Sequence, residues 1–219
     1  MPDFDDTHRL CERSKFTERA RVLKARDGVR EDLRTRANAA LQAALVETVR
    51  SAVAAVSTMT GDQEPTIAGY APTATEPGGF ELPSVLAAAA HPLRLLLPVL
   101  RPDGDLDWAG YDGQAGLRPA RYGLREPSGR RLGVEAIATA TLVIVPAVAV
   151  DHAGTRLGRG GGSYDRALAR VGKGVRTIAP LFDGEFVERL PAEPHDRPVT
   201  TVLVATESSV LAVSTVWRG

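Results

Sequence analysis

Leu142-Val143-Ile144-Val145-Pro146-Ala147-Val148-Ala149-Val150 runs directly into Asp151-His152-Ala153-Gly154-Thr155-Arg156-Leu157-Gly158-Arg159-Gly160-Gly161-Gly162-Ser163-Tyr164-Asp165-Arg166-Ala167-Leu168. The first run is apolar without alternation, as in a strand covered on both faces of a mostly parallel sheet. The second is a glycine-rich loop leading into a helix, so together they give the strand–loop–helix order of an α/β protein. Outward from this unit, the apolar runs Thr66 to Ala71, Leu93 to Leu100, Ala140 to Val150, Val175 to Leu181 and Thr200 to Ala205 read as strands. Leu82 to Ala90 and Tyr164 to Val171 read as covering helices. The predicted fold is a single α/β domain whose mostly parallel, twisted sheet is covered by helices on both faces.

The stretch from Lys15 to about Val56 is rich in helix formers, with Gly28 as the join between two helices. Leu41, Leu45, Val49, Ala52, Val53 and Val56 recur at helical spacing and mark a core-facing side. Met59 to Pro65 reads as a loop, and Asp103 to Gly133, dense in Gly, Pro, Asp and Arg, as irregular or hairpin surface structure. The expected organisation is a polar, mobile segment over residues 1–14, the domain over 15–206, and a tail or edge strand over 207–219 that includes Val210 to Val213.

Lys+Arg and Asp+Glu both number 27 in 219 residues, so no global field would hold the chain on nucleic acid or an anionic membrane. Anions must then be bound locally. Cys11 is the only cysteine, which leaves no intrachain disulfide and no thiolate cluster for a metal. Residues 1–13 carry no continuous apolar segment of signal-peptide type, and no stretch approaches the ~20 apolar residues that span a bilayer. The expectation is a cytoplasmic monomer acting on small molecules, with neither nucleic acid nor membrane as partner.

Gly158, Gly160, Gly161 and Gly162 lie among Arg156 and Arg159. Glycines let the backbone approach a ligand and aim successive N–H groups at one place, and the arginine forks grip phosphate oxygens. The alternative is a flexible connector, which the position between a buried strand and a helix disfavours. No Gly-Lys-Ser/Thr closes the loop, so it is not a P-loop, and Ser163 stands where a dinucleotide fingerprint needs its third glycine. A nicotinamide-dependent oxidoreductase is therefore a minority reading.

Read as D-x2-G-x-R-L-G-x-G-x-G-x-Y-D-R-x-L, Asp151 to Leu168 resembles the signature loop of the 5-formyltetrahydrofolate cyclo-ligase (5,10-methenyltetrahydrofolate synthetase) family. Further similar stretches follow in the family's order: Lys15 to Arg26, Tyr70 to Glu76, and Leu190-Pro191-Ala192-Glu193-Pro194-His195-Asp196. The resemblance implies an ATP-binding set of Lys15, Arg19, Arg156, Leu157, Gly158, Arg159, Gly160, Gly161, Gly162, Ser163 and Tyr164. Of these, Lys15, Arg156 and Arg159 would carry catalysis. Lys15 and Arg19 stand i,i+4 and so share a helix face, which alone would be an ordinary solvated basic face. The resemblance further implies that Tyr70, Ala71, Glu76 and Tyr122, with Arg159, Gly160, Gly161, Gly162 and Ser163, bind the folate, Tyr122 by stacking on the pterin with Trp108 as runner-up.

Asp165 and Asp196 are similar in position to the family's Mg²⁺-associated carboxylates, and adjacent His195 is assigned no chemistry. The activity so implied is ATP-dependent conversion of 5-formyltetrahydrofolate to 5,10-methenyltetrahydrofolate, the alternative being a folate- or nucleotide-binding relative with weak or lost turnover. Glu18 is expected to pair with Lys15, and Gly161 and Ser163 replace a lysine and an aromatic found in family members, so slower turnover or weaker nucleotide binding is expected.

Overall fold

The computed structural model describes residues 4–60, 64–207 and 209–215. In chain order its elements are α1 (Phe4–Asp27), α2 (Glu31–Thr60), β1 (Thr66–Ala68), α3 (Leu82–Ala87), β2 (Arg94–Leu100) and β3 (Leu106–Gly110). These are followed by β4 (Leu117–Pro119), β5 (Arg125–Pro127), β6 (Leu142–Ile144), β7 (Ala149–Asp151), β8 (Arg156–Leu157) and α4 (Ser163–Leu168). The chain continues with β9 (Arg176–Phe182), β10 (Phe186–Val187), β11 (Thr201–Ala205) and β12 (Val210–Ser214).

The main sheet has the order β12-β11-β9-β6-β1-β2-β3. Its interior pairs are parallel, and only the outermost strands, β3 on β2 and β12 on β11, run antiparallel. Strand period two splits its apolar residues between two cores. Ile67, Leu95, Leu97, Leu142, Ile144, Ile178 and Leu203 face α2 and α3 through Leu41, Leu45, Val49, Leu82 and Leu86. Ala68, Leu96, Val143, Ala179, Val202 and Val204 face the other way, toward Ile137 and the α4 residues Ala167 and Leu168. Both faces are covered, which is why the central strands read as unbroken apolar runs.

Several expectations are corrected. The run Leu142 to Val150 is buried almost throughout but is two strands, not one. Pro146 has no N–H for a ladder. Before it, Val145 still donates to Ile178 O at 2.8 Å, and after it Val148 donates to Leu157 O at 2.7 Å, so the chain leaves the main sheet here and enters the small sheet β10-β7-β8. Asp103 to Gly133 is less irregular than expected, since it holds β3 as well as the β4–β5 hairpin. Trp108 on β3 is fully buried in the second core and offers no ring to a ligand. The first helix runs from Phe4 to Asp27 and so begins ahead of Lys15.

α2 reaches Thr60, past the expected end, and Gly61 to Gln63 of the expected loop lie outside the described residues. Glu31–Thr58 of α2 is also long and apolar enough to cross a membrane by length and composition, contrary to the expectation that no stretch approaches this. Its apolar stripe, Leu41, Leu45, Val49 and Val53, is nevertheless packed in the core.

α1 lies over the small sheet through Val22, which clusters with Val148, Ala149, Leu157 and Leu190. A buried ion pair fixes its C-terminal end. Arg26 donates through Nε and Nη2 to the two carboxylate oxygens of Glu185, each at 2.8 Å, and through Nη2 to Ala147 O at 3.0 Å. Glu185 also accepts the Phe182 N–H at 2.9 Å, so both ions are paired and hydrogen-bonded, the condition for tolerating burial. Arg26→Met should lower stability by about 3–5 kcal/mol in urea unfolding because it strands the Glu185 charge, whereas Arg26→Met combined with Glu185→Leu should recover most of that loss.

Candidate active site

The bend at Pro146 and the glycine loop form part of the wall of a cavity of about 570 Å³. Lys15, Arg19, Tyr70, Ala71, Glu76, Tyr122, every residue from Arg156 to Asp165, and Asp196 all border it. The structure thus brings together every candidate singled out in the sequence except Trp108.

Each cation is already engaged. Lys15, buried on α1, donates to Glu193 Oε2 at 2.7 Å and Asp196 Oδ2 at 2.9 Å. Burial alone would lower its pKa, but the hydrogen bonds and charges of Glu193 and Asp196 together outweigh burial and hold it above the ordinary lysine value. The expected Glu18 competition does not occur. Glu18 accepts two hydrogen bonds from Arg21, at 2.5 and 3.0 Å, and the first of these effects, the Arg21 hydrogen bond, lowers its pKa. Arg19, one turn beyond Lys15, donates from Nε to Gly158 O at 2.7 Å, tying α1 to the glycine loop.

In the loop, Arg156 is buried and donates from Nη2 to Asp165 Oδ1 at 2.9 Å, while its Nε has no hydrogen-bond partner among the described residues. A Cβ at Gly158 would meet Arg156 Nη1 at 2.7 Å, so the guanidinium would have to shift to admit one. Gly162, at φ +63, turns the chain into α4 through the left-handed region that glycine enters without steric cost. A six-residue helix contributes free amides more than dipole. Arg159 is half exposed, and its Nε donates to the buried Glu76 at 3.1 Å. Glu76 also accepts the Thr73 N–H at 2.8 Å. Ser163 donates its hydroxyl to Gly104 O at 2.5 Å.

On the wall beside Glu76, Tyr70 donates to Pro77 O, and burial drives its pKa well up, with Glu76 adding to the effect. Tyr164 is pushed up for the same reasons, and its buried hydroxyl has no hydrogen-bond partner among the described residues. Tyr122 is exposed at the cavity edge.

The carboxylates group differently from the expected Asp165–Asp196 pair. Ligand atoms of Glu193, His195 and Asp196 lie within 4.8 Å of one another. Asp165 is held by Arg156 and by the Arg197 N–H at 3.2 Å, which places it against the same turn. Glu193, Glu12, Arg125 and Glu126 also line the cavity and were given no role from sequence. Glu193 stood inside a quoted motif, but only the fold shows that it meets Lys15 across 178 positions.

Fold and site together define an α/β protein with a cavity walled by a glycine-rich, arginine-flanked loop. The chain belongs to the 5-formyltetrahydrofolate cyclo-ligase family, whose model matches residues 13–205, and so to a family of ligases. The 5-formyltetrahydrofolate cyclo-ligase of Mycolicibacterium smegmatis is 41% identical over 143 residues, covering 63% of this chain and 72% of that protein. The Escherichia coli K12 protein of the same name is 34% identical over 117 residues, 52% of this chain and 64% of its own. Among solved structures, the 5,10-methenyltetrahydrofolate synthetase of Aquifex aeolicus superposes with a TM-score of 0.63 at 25% identity, covering 94% of this chain and 93% of its own. The Mycoplasma pneumoniae 5,10-methenyltetrahydrofolate synthetase, at 17% identity and a TM-score of 0.62 over 89% of this chain and 99% of its own, shares the fold.

Lys15→Met would leave Glu193 and Asp196 adjacent with the cation between them gone, and should cost about 3 kcal/mol in urea unfolding at neutral pH. The Lys15 pKa is raised on folding, so the contact stabilises fully below the ordinary lysine value of 10.5 and is lost as pH rises past the folded value. The stability gap between wild type and the variant should therefore narrow above that pH.

Proposed function

We propose that the protein converts 5-formyltetrahydrofolate and ATP to 5,10-methenyltetrahydrofolate, ADP and phosphate. The observation that carries this reading is the convergence on one cavity of the glycine loop, the α1 cations, the Tyr70–Glu76 wall and the Asp196 turn, segments up to 181 residues apart. The family and the names of the relatives support the folate substrate.

The chemistry accounts for this combination of groups. N10 of the folate can attack the formyl carbon, but the formyl oxygen would then have to depart as hydroxide, a poor leaving group. Transfer of the γ-phosphoryl group to that oxygen makes it part of a phosphate, which leaves with the C–O bonding pair once N10 has closed the ring. Such a transfer needs alignment and positive charge more than covalent help. Lys15, Arg19, Arg156 and Arg159 supply the charge, and the amides from Leu157 to Tyr164 line the phosphate path. Arg159, held by Glu76, stands where the phosphoryl and folate sites meet, while Tyr70, Ala71 and Glu76 border the pterin and Tyr122 stacks on it.

Asp165 and Asp196 would hold Mg²⁺, which when bound supplies neutralising charge on the phosphate oxygens. The residues suit it: both carboxylates border the cavity, and Glu193 and His195 bring further ligand atoms beside Asp196. The oxidoreductase reading falls away with the family assignment.

Purified protein with MgATP and 5-formyltetrahydrofolate should generate the methenyl chromophore. Arg159→Ala should lower kcat/KM by roughly ten- to a hundredfold, the range expected for a lost charge-assisted hydrogen bond. Folate binding without chromophore would make the protein a binding relative, and an unaltered ATP dependence in the variant would remove Arg159 from the phosphate path.

A further inference from the structure

A second concavity, of about 480 Å³, adjoins the cavity and shares Leu100, Gly104, Tyr122 and Glu126 with it. It lies between the β2–β3 turn and the β4–β5 hairpin, with Arg101 and Arg121 on its walls. Resting on the folate reading above, we propose that this groove takes the glutamyl tail of the folate and that Arg121 is the cation that anchors the tail carboxylates.

Size is the first reason. The main cavity has the volume that one drug-sized ligand fills, yet the proposed reaction brings together two molecules of that class, so part of one must extend beyond it. The adjoining groove is continuous with the wall assigned to the pterin, since Tyr122 belongs to both.

Charge is the second reason. Among the described residues the Arg121 guanidinium has neither a hydrogen-bond nor an ion-pair partner, in contrast to the side chains of Lys15, Arg19, Arg156 and Arg159. Across the groove Arg101 pairs with Asp103 at 3.0 Å, but both are about half exposed, so this contact is weak and open to exchange. The acid on the wall, Glu126, is engaged by the Leu100 N–H at 2.9 Å and stands opposite Arg118 in the hairpin register. Arg121 is thus the cation of the groove wall whose guanidinium has no partner among the described residues, and it is free to take an anion.

Backbone conformation is the third reason. Tyr122 lies at φ +59, an uncommon conformation for a non-glycine residue and one that clusters at ligand-binding positions. It sets an 81% exposed ring at the boundary between cavity and groove, with Arg121 next to it on the groove wall. A pterin on that ring would direct its tail past Tyr122 to Arg121.

The test compares 5-formyltetrahydrofolate with 5-formyltetrahydropteroate, which keeps N10 but lacks the glutamate and its carboxylates. Arg121→Glu should raise KM for the folate roughly tenfold with kcat unchanged, and should leave KM for the pteroate unaltered. Added salt should shrink the wild-type preference for the folate. An equal effect on both compounds, or none on either, overturns the assignment. If wild type forms no chromophore, equilibrium binding of the two compounds decides: a loss confined to the folate keeps the tail site and rejects the activity, and no binding of either by wild type rejects both.

Discussion

The placement of the α1 cations Lys15 and Arg19 in the cavity depends on the buried contact between Arg26 and Glu185. Eleven residues separate Arg26 from Lys15, about 16 Å along an α-helix, so an error in angle at one end of α1 becomes an error in position at the other. Arg26 fixes that angle through a two-pronged contact with Glu185 and a bond to the carbonyl of Ala147, itself a cavity residue. Only Val22 and Leu23 anchor this stretch through apolar packing. The ion pair supplies direction where the core supplies little. Burying two charges yields little net stability, and specifying one orientation of a long helix is the better account of it.

The same geometry explains the interrupted strand. Pro146 ends the ladder, the chain steps across to the small sheet, and Pro146, Ala147 and Val148 become wall instead of core. Arg26 then bonds to the carbonyls that the step releases, at Ala147 and Val148.

The sheet and the glycine loop were legible in the sequence because their signals are contiguous. Burial on both faces writes an apolar run into one segment, and the glycine loop carries its glycines and arginines within Arg156 to Gly162. What escaped notice depends on distance. No local pattern shows that Arg26 meets Glu185, that Glu193 meets Lys15, or that Glu18 turns to Arg21 instead. β3 was hidden because it is a short edge strand preceded by Asp105 and interrupted by Asp107, so it reads as polar loop until its pairing with β2 is known. Trp108 was misjudged for the same reason: an aromatic in a polar stretch looks available, and only the fold buries it.

One electrostatic feature unites the site. Lys15 is paired with Glu193 and Asp196, Arg156 with Asp165, and Arg159 with Glu76, so the resting cavity is close to neutral despite its concentration of cations. Such pairing lets buried charges persist without a ligand, since an unpaired buried ion would shift its pKa or unfold its surroundings. On the proposed function it also couples the ligands. A polyphosphate that draws Lys15 and Arg156 toward its oxygens leaves Asp196 and Asp165 without their cations, and these are the carboxylates assigned to Mg²⁺. Metal and nucleotide would then each relieve the charge that the other exposes, and their binding would be cooperative by exchange of partners, without movement of the sheet that carries them.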